Sequence, residues 1–147
     1  MAAVVDRFEV HPVAVPLDHP YRDATRVETH SRDVYVRLGT TDGAEGWGAG
    51  TPRHVPTGET QVGTVHVLEH VIRDVVLGAN LDGHEAVGKA IAGAIPGNEA
   101  AKTAVELAVH DLLARRSGRS VAALLGEPKR TELPTLDILP IEPPDRM

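Results

Sequence analysis

The chain has 147 residues, 41% of them hydrophobic, which is enough for one folded domain with its own core and too little for two large ones. Its formal net charge of -6 and scattered Lys and Arg exclude the clustered basic surface that nucleic acid or an anionic membrane requires. The absence of cysteine excludes disulfides, thiol nucleophiles and cysteine metal sites. The opening residues MAAVVDRFEV contain no export or anchoring signal and no apolar run approaches a membrane span, so the expected location is cytoplasmic.

Residues Val4 to Leu17 are β-like. Phe8 and Val10 alternate in one phase and Val13, Val15 and Leu17 in the other, which predicts a slip near His11-Pro12, at a bulge or on an edge strand. Asp18 to Ser31 is polar, contains Pro20 and shows neither the helical nor the strand period, so it reads as a long loop. Val34, Val36 and Leu38 then alternate with Tyr35 and Arg37, and Thr41-Asp42-Gly43 supplies a tight turn into Gly46-Trp47-Gly48. The three segments form a meander.

Gly50 to Gly58 is a second irregular stretch. Val62, Val65, Leu68, Val71, Ile72, Val75 and Val76 follow at helical spacing, and Gly78 closes that helix. Asp82 and Glu85 form a D-x-x-E capping pattern ahead of a short helix that Ile95-Pro96-Gly97 ends. The clearest helix follows. Asn98 is its candidate N-cap, Ala101, Ala104, Val105, Ala108 and Leu112 give a stripe of mostly small residues that can lie close against a neighbour, and Gly118 stops it. Ser120 caps a last short helix ended by Gly126. Strands first and helices after predict an α+β domain: a three-stranded antiparallel meander followed by a bundle of three to four helices. Residues 1–132 make up that domain, and residues 133–147 are a residual segment and tail.

Few residues converge on an obvious chemistry. His66 and His70 stand at i, i+4 on the first long helix without the acid of H-E-x-x-H, which favours an exposed face over a metal site. His110-Asp111 has no nucleophile that the sequence can place beside it. The glycines of Gly46 to Gly50 are not followed by the helix of a dinucleotide fold, which excludes a phosphate cradle.

Taken together, Val13-Ala14-Val15-Pro16-Leu17, Thr41-Asp42-Gly43 with Gly46-Trp47-Gly48, Thr57-Gly58-Glu59-Thr60, Ala104-Val105-Glu106-Leu107-Ala108 with Asp111, and Gly118 with Leu124-Leu125-Gly126 resemble the N-terminal capping domain of the enolase superfamily. The nearest branch contains the muconate-lactonising enzymes and dipeptide epimerases. Ala49 stands where that family usually carries Glu. The resemblance implies a lid over a C-terminal barrel that holds the magnesium ion and the acid/base groups of a racemase, epimerase or cycloisomerase. A barrel takes about 250 residues, so no catalytic residue, metal ligand or cofactor site is expected in this chain, magnesium being implied only for a barrel partner. By the same resemblance, Leu133 to Leu139 is where a first barrel strand would begin. Asp18 to Ser31 and Gly50 to Gly58 would be the two capping loops, with His19, Tyr21, Arg22, Arg53 and His54 as candidate contacts to a small carboxylic acid. The chain is then expected to be such a lid acting with a barrel supplied in trans, or a truncated product, and the expected partner is a barrel chain in trans or a second copy of this chain. The alternative reading is a free-standing binding protein or small enzyme with a repurposed capping-loop site, working as a homodimer.

Overall fold

The computed structural model of the chain describes residues 4–136 except 23, 25, 128 and 131, with the side chain of Pro56 also left aside. Strands β1 (Val5–Arg22), β2 (Val27–Thr40) and β3 (Glu45–Gly50) form one antiparallel sheet in the order β1-β2-β3. Helices follow the strands in the chain, giving the expected α+β meander. The meander forms because each hairpin has its own local signal. Between β2 and β3 the turn bends at Gly43 (φ 85°), where the Gly43 amide donates to Thr40 O at 2.8 Å and the Thr40 hydroxyl to Asp42 Oδ1 at 2.6 Å.

Two expectations for β1 are corrected. Pairing runs without a break from Arg7↔Gly39 to Pro16↔His30, so no slip occurs at His11-Pro12. Pro12 is tolerated because β1 is an edge strand and a missing N–H there need not cost a ladder bond. The change of apolar phase is instead a change of face: Phe8 is buried toward the helices, while Val13 and Val15 lie on the opposite side of the sheet. The register shifts at Val5/Arg7 and at Pro16/Tyr21. The second correction concerns Asp18 to Ser31, most of which is strand, with the hairpin extending to Arg22↔Val27. It projects past the helices, so neither face acquires the buried apolar alternation from which strands are recognised.

Behind the sheet, α1 (His54–Thr57) is a single turn. A continuous rod then comprises α2 (Gln61–Val67), a π-helical turn (Leu68–Ile72) and α3 (Arg73–Val76). Thr60 caps it by accepting from Gly63 N, and Gly78 ends it at φ 84°. The rod buries Thr64, Val67, Leu68, Ile72 and Val76, whereas Val62 is 81% exposed. Past its end, the Val5 amide donates to Ala79 O at 3.0 Å and the Gly78 amide to Val5 O at 2.8 Å, tying this exit to the start of β1.

The D-x-x-E capping box does not form. Asn80 caps a 3-10 turn (Leu81–Gly83) by accepting from Asp82 N, and α4 (His84–Gly93) starts from Gly83 with no side-chain cap. The long helix α5 (Glu99–Arg116) is likewise not capped by Asn98, whose backbone is left-handed at φ 57° and whose amide side chain donates to Pro96 O. The acceptor comes from far away in the chain: Glu59 Oε1 receives the Ala100 amide at 3.0 Å. α6 (Val121–Leu125) is capped by Ser120 as expected. Leu133 to Leu136 is not in regular structure, and the remainder of the proposed barrel-strand segment, with the tail, lies outside the described residues.

The core is Phe8, Val34, Val36 and Leu38 from the sheet against Leu68, Ile72, Leu81, Ile91, Ala104, Val105, Ala108 and Leu112 from the helices. Burial of this set is the main stabilising contribution, at roughly 1.5–3 kcal/mol for each large aliphatic side chain.

Candidate functional site

Beyond the core, the face of β2 that carries Leu38, Val36 and Val34 continues outward as Arg32, His30, Glu28 and Arg26, because side chains two apart share a face. The helix layer does not cover this end. A groove of about 500 Å³ opens there, bounded by Arg26 to Arg32, by Pro52-Arg53-His54, and by Glu59 to Val62 at the N-terminus of α2.

Its charges are arranged around one carboxylate. Glu28 forms an ion pair with Arg26, its Oε1 lying 3.1 Å from Nε, and is also paired with the Arg53 guanidinium. The Arg26 side chain additionally donates from Nη1 to Val55 O at 3.4 Å. Three arginines, Arg26, Arg32 and Arg53, face two glutamates, Glu28 and Glu59, so the groove carries one excess positive charge (3 − 2 = 1). Glu59 is already engaged: it caps α5 and accepts the Thr57 hydroxyl at 3.0 Å. The walls are fixed by the chain itself. Gln61 Nε2 donates to Val13 O at 2.9 Å and Asp33 O at 2.8 Å, which pins the start of α2 across β1 and β2. A planar guanidinium can bind a carboxylate through two parallel hydrogen bonds, and in this groove Arg26 and Arg53 both spend that capacity on the carboxylate of Glu28.

Of the five residues expected to contact a ligand, Arg53 and His54 line the groove. Tyr21 and Arg22 sit opposite Glu28 and Val27 on the neighbouring strand, and with His19 they are exposed outside the groove lining. Sequence reasoning missed Arg26, Glu28, His30 and Arg32. Their signal was present as a polar repeat of period two continuing the apolar one of Val34, Val36 and Leu38, but it was masked by reading the segment as a loop.

The groove does not suit a magnesium ion. Magnesium demands octahedral oxygen ligation, whereas Glu28 is committed to two guanidinium groups and Glu59 to a helix end. Among the described residues no three His, Cys, Asp or Glu side chains are placed to hold a metal, and no helix is long and apolar enough to cross a membrane.

Two further polar groupings stand elsewhere. Asp111 Oδ2 accepts Trp47 N at 2.9 Å and Arg115 Nε at 2.8 Å, fastening the outer edge of β3 to α5, a structural service. On the uncovered sheet face, Arg37 bridges Glu45 at 2.5 Å and Glu9 at 3.2 Å and lies over the Trp47 ring, which stacks with His11. The bond to Arg37 holds the Glu45 carboxyl below its ordinary range and raises the guanidinium in turn, against a smaller opposing effect of desolvation on each.

Residues 7–126 match the family described as "Mandelate racemase / muconate lactonizing enzyme, N-terminal domain". The chain is 36% identical over 120 residues to an L-Ala-D/L-Glu epimerase from Bacillus subtilis, a match covering 82% of this chain and 33% of the relative. The substrate-liganded structure of the L-Ala-D/L-Glu epimerase from that organism superposes with a TM-score of 0.79 over 84% of this chain and 34% of the other, at 35% identity. A dipeptide epimerase from Methylococcus capsulatus, complexed with Mg and the dipeptide L-Arg-D-Lys, aligns with 99% of this chain and 40% of its own length at 28% identity and a TM-score of 0.85. The chain therefore spans about a third of the length of the curated relatives it matches. By sequence profile, by identity and by fold, this chain belongs to the mandelate racemase/muconate lactonizing enzyme family of the enolase superfamily, and what it contains is that family's N-terminal capping domain.

Proposed function

We propose that the chain serves as the lid and substrate-selecting module of a magnesium-dependent isomerase, with the magnesium ligands and the acid/base groups held by a barrel supplied outside these residues. The observation that carries this reading is the groove at the open end of the sheet, where Arg26 and Arg53 converge on one carboxylate, in a chain whose relatives include an L-Ala-D/L-Glu epimerase. The substrate class it fits is a dipeptide or N-acyl amino acid with an acidic end, received by Arg53 and Arg26 with His54 at the rim. A barrel in trans would close over this end of the domain.

The test is reconstitution. The 147-residue chain alone should show no epimerase, racemase or cycloisomerase turnover with magnesium present, while a barrel encoded nearby, beginning with a Lys-x-Lys strand, should become active on mixing with it. Turnover by the pure chain, lost on adding a chelator, overturns the proposal.

A second reading rests on exposed apolar side chains. Val62 is 81% and Leu125 72% exposed, with Leu107 beside Leu125 in one apolar recess. Such surface favours a covered state, and a homodimer with a retained acid-binding groove would provide it. Sedimentation of a well-folded monomer at micromolar concentration would remove this reading.

A further inference from the structure

The first long helix carries a feature that neither the groove nor the core uses. His66 lies in the last turn of α2 and His70 inside the π-helical turn, so the pair straddles the point where the backbone widens from the α to the π repeat. Both side chains are exposed, and their ring centres are 4.7 Å apart with the planes tilted by 47°.

That separation is compatible with a shared metal ion. A Zn–N bond of about 2.0–2.1 Å places each imidazole centre roughly 3.2 Å from the ion. Two centres 4.7 Å apart then subtend roughly 95° at the metal, within reach of both the tetrahedral and the square-planar arrangement. The rings need to rotate, not travel, to aim one nitrogen each at a common point, and exposed side chains turn freely. His66 and His70 are not members of the groove lining.

We propose that His66 and His70 form a surface chelate for a borderline divalent ion, Zn²⁺, Cu²⁺ or Ni²⁺, with the remaining coordination positions open to water or an exchangeable ligand. Imidazole nitrogen selects these ions over magnesium, which takes oxygen donors. Because the two ligands sit on successive turns of one rod, the bound ion clamps the helix across its π turn, and the unfolded chain offers no such preformed pair.

The experiment is calorimetric titration of the 147-residue chain with ZnCl₂ in a non-chelating buffer, beside an equal titration with MgCl₂. One saturable zinc site is expected, and no magnesium isotherm. Loss of an outer-shell partner alone weakens metal sites by roughly 10–100-fold, so His66→Ala and His70→Ala should each weaken zinc by at least about tenfold. His84→Ala, on α4, should leave it unchanged, as a control for a histidine outside the pair. Both variants lie on the exposed side of the rod, and their circular dichroism should match that of the parent. An isotherm with no saturable zinc site, or one unchanged in both His66→Ala and His70→Ala, overturns the proposal. Magnesium binding lost in those two variants does so as well.

Discussion

Gly48 lies so close to Ala104 that a Cβ built on the glycine would stand 2.0 Å from the alanine carbonyl oxygen. The same relation repeats along the strand. A Cβ on Gly46 would stand 2.3 Å from the Ala108 carbonyl oxygen, and one on Gly50 2.0 Å from that of Ala100. Two residues of strand advance about 6.8 Å and four residues of helix about 6.0 Å, so glycines at every second position and alanines at every fourth stay in step. α5 therefore rests on bare β3 backbone. This contact is the axis of the domain.

Gly48→Ala should destabilise the domain by about 3 kcal/mol, the upper end of overpacking costs, because the obstructing atom is backbone and cannot swing aside. Gly88→Ala, on α4 with nothing within 4 Å of its added carbon, should instead gain about 0.5–1 kcal/mol from helix propensity. Urea denaturation of both variants measures the contrast. A Gly48→Ala protein as stable as the parent would refute the close packing.

Glu59 reaches from the loop before α2 to cap α5, so Glu59→Ala should cost about 1–2 kcal/mol and expose the Ala100 amide to exchange. Glu59→Gln keeps an acceptor oxygen and should lose less. Hydrogen exchange at Ala100 reads the effect directly. Unchanged protection in Glu59→Ala would show that Asn98 or water serves as the cap after all.

Acid should weaken the sheet before it weakens the core. The Asp42 carboxyl is held below its ordinary range, first by the Thr40 hydroxyl and then by the Ala44 amide and Arg116, with desolvation working against them. Glu45 is lowered by Arg37. A carboxyl depressed in the folded state contributes stability above its unfolded value of about 4 and loses it as pH falls through the folded value. Melting temperature should accordingly fall below about pH 4, and the Asp42→Asn, Glu45→Gln double variant should show a shallower acid limb. Equal acid slopes in parent and variant would contradict this assignment.

In the groove, Glu28 competes with any incoming carboxylate for Arg26 and Arg53. Glu28→Gln should tighten binding of a small acidic dipeptide by about tenfold, roughly 1.4 kcal/mol, and Arg53→Ala should weaken it. A thermal-shift titration separates the two directions. Tighter binding in Arg53→Ala would exclude the groove as an acid site.

Much was legible in the chain because its signals are local. The alternation of Val34, Val36 and Leu38, the Thr41-Asp42-Gly43 turn, the Ser120 cap and the Gly118 stop each depend on residues within a few positions. The long hairpin beyond Leu17 reads as a loop, since its period of two, from Arg26 to Arg32, alternates ionisable with non-ionisable residues and not apolar with polar ones. The groove was half visible, through Arg53 and His54.

What the sequence by itself determined is the α+β meander, the small-residue stripe of α5 and the family, all written in short-range periodicity and motif order. Tertiary structure alone decided that Glu59 and not Asn98 caps α5, that Gly46, Gly48 and Gly50 exist for the approach of Ala100, Ala104 and Ala108, and that Arg26 and Arg53 meet on Glu28. The physical reason is the same in each case: Glu59 and Ala100, the glycines and their alanines, and Arg53 and Glu28 are 25 to 62 residues apart in the chain, and only packing brings them together.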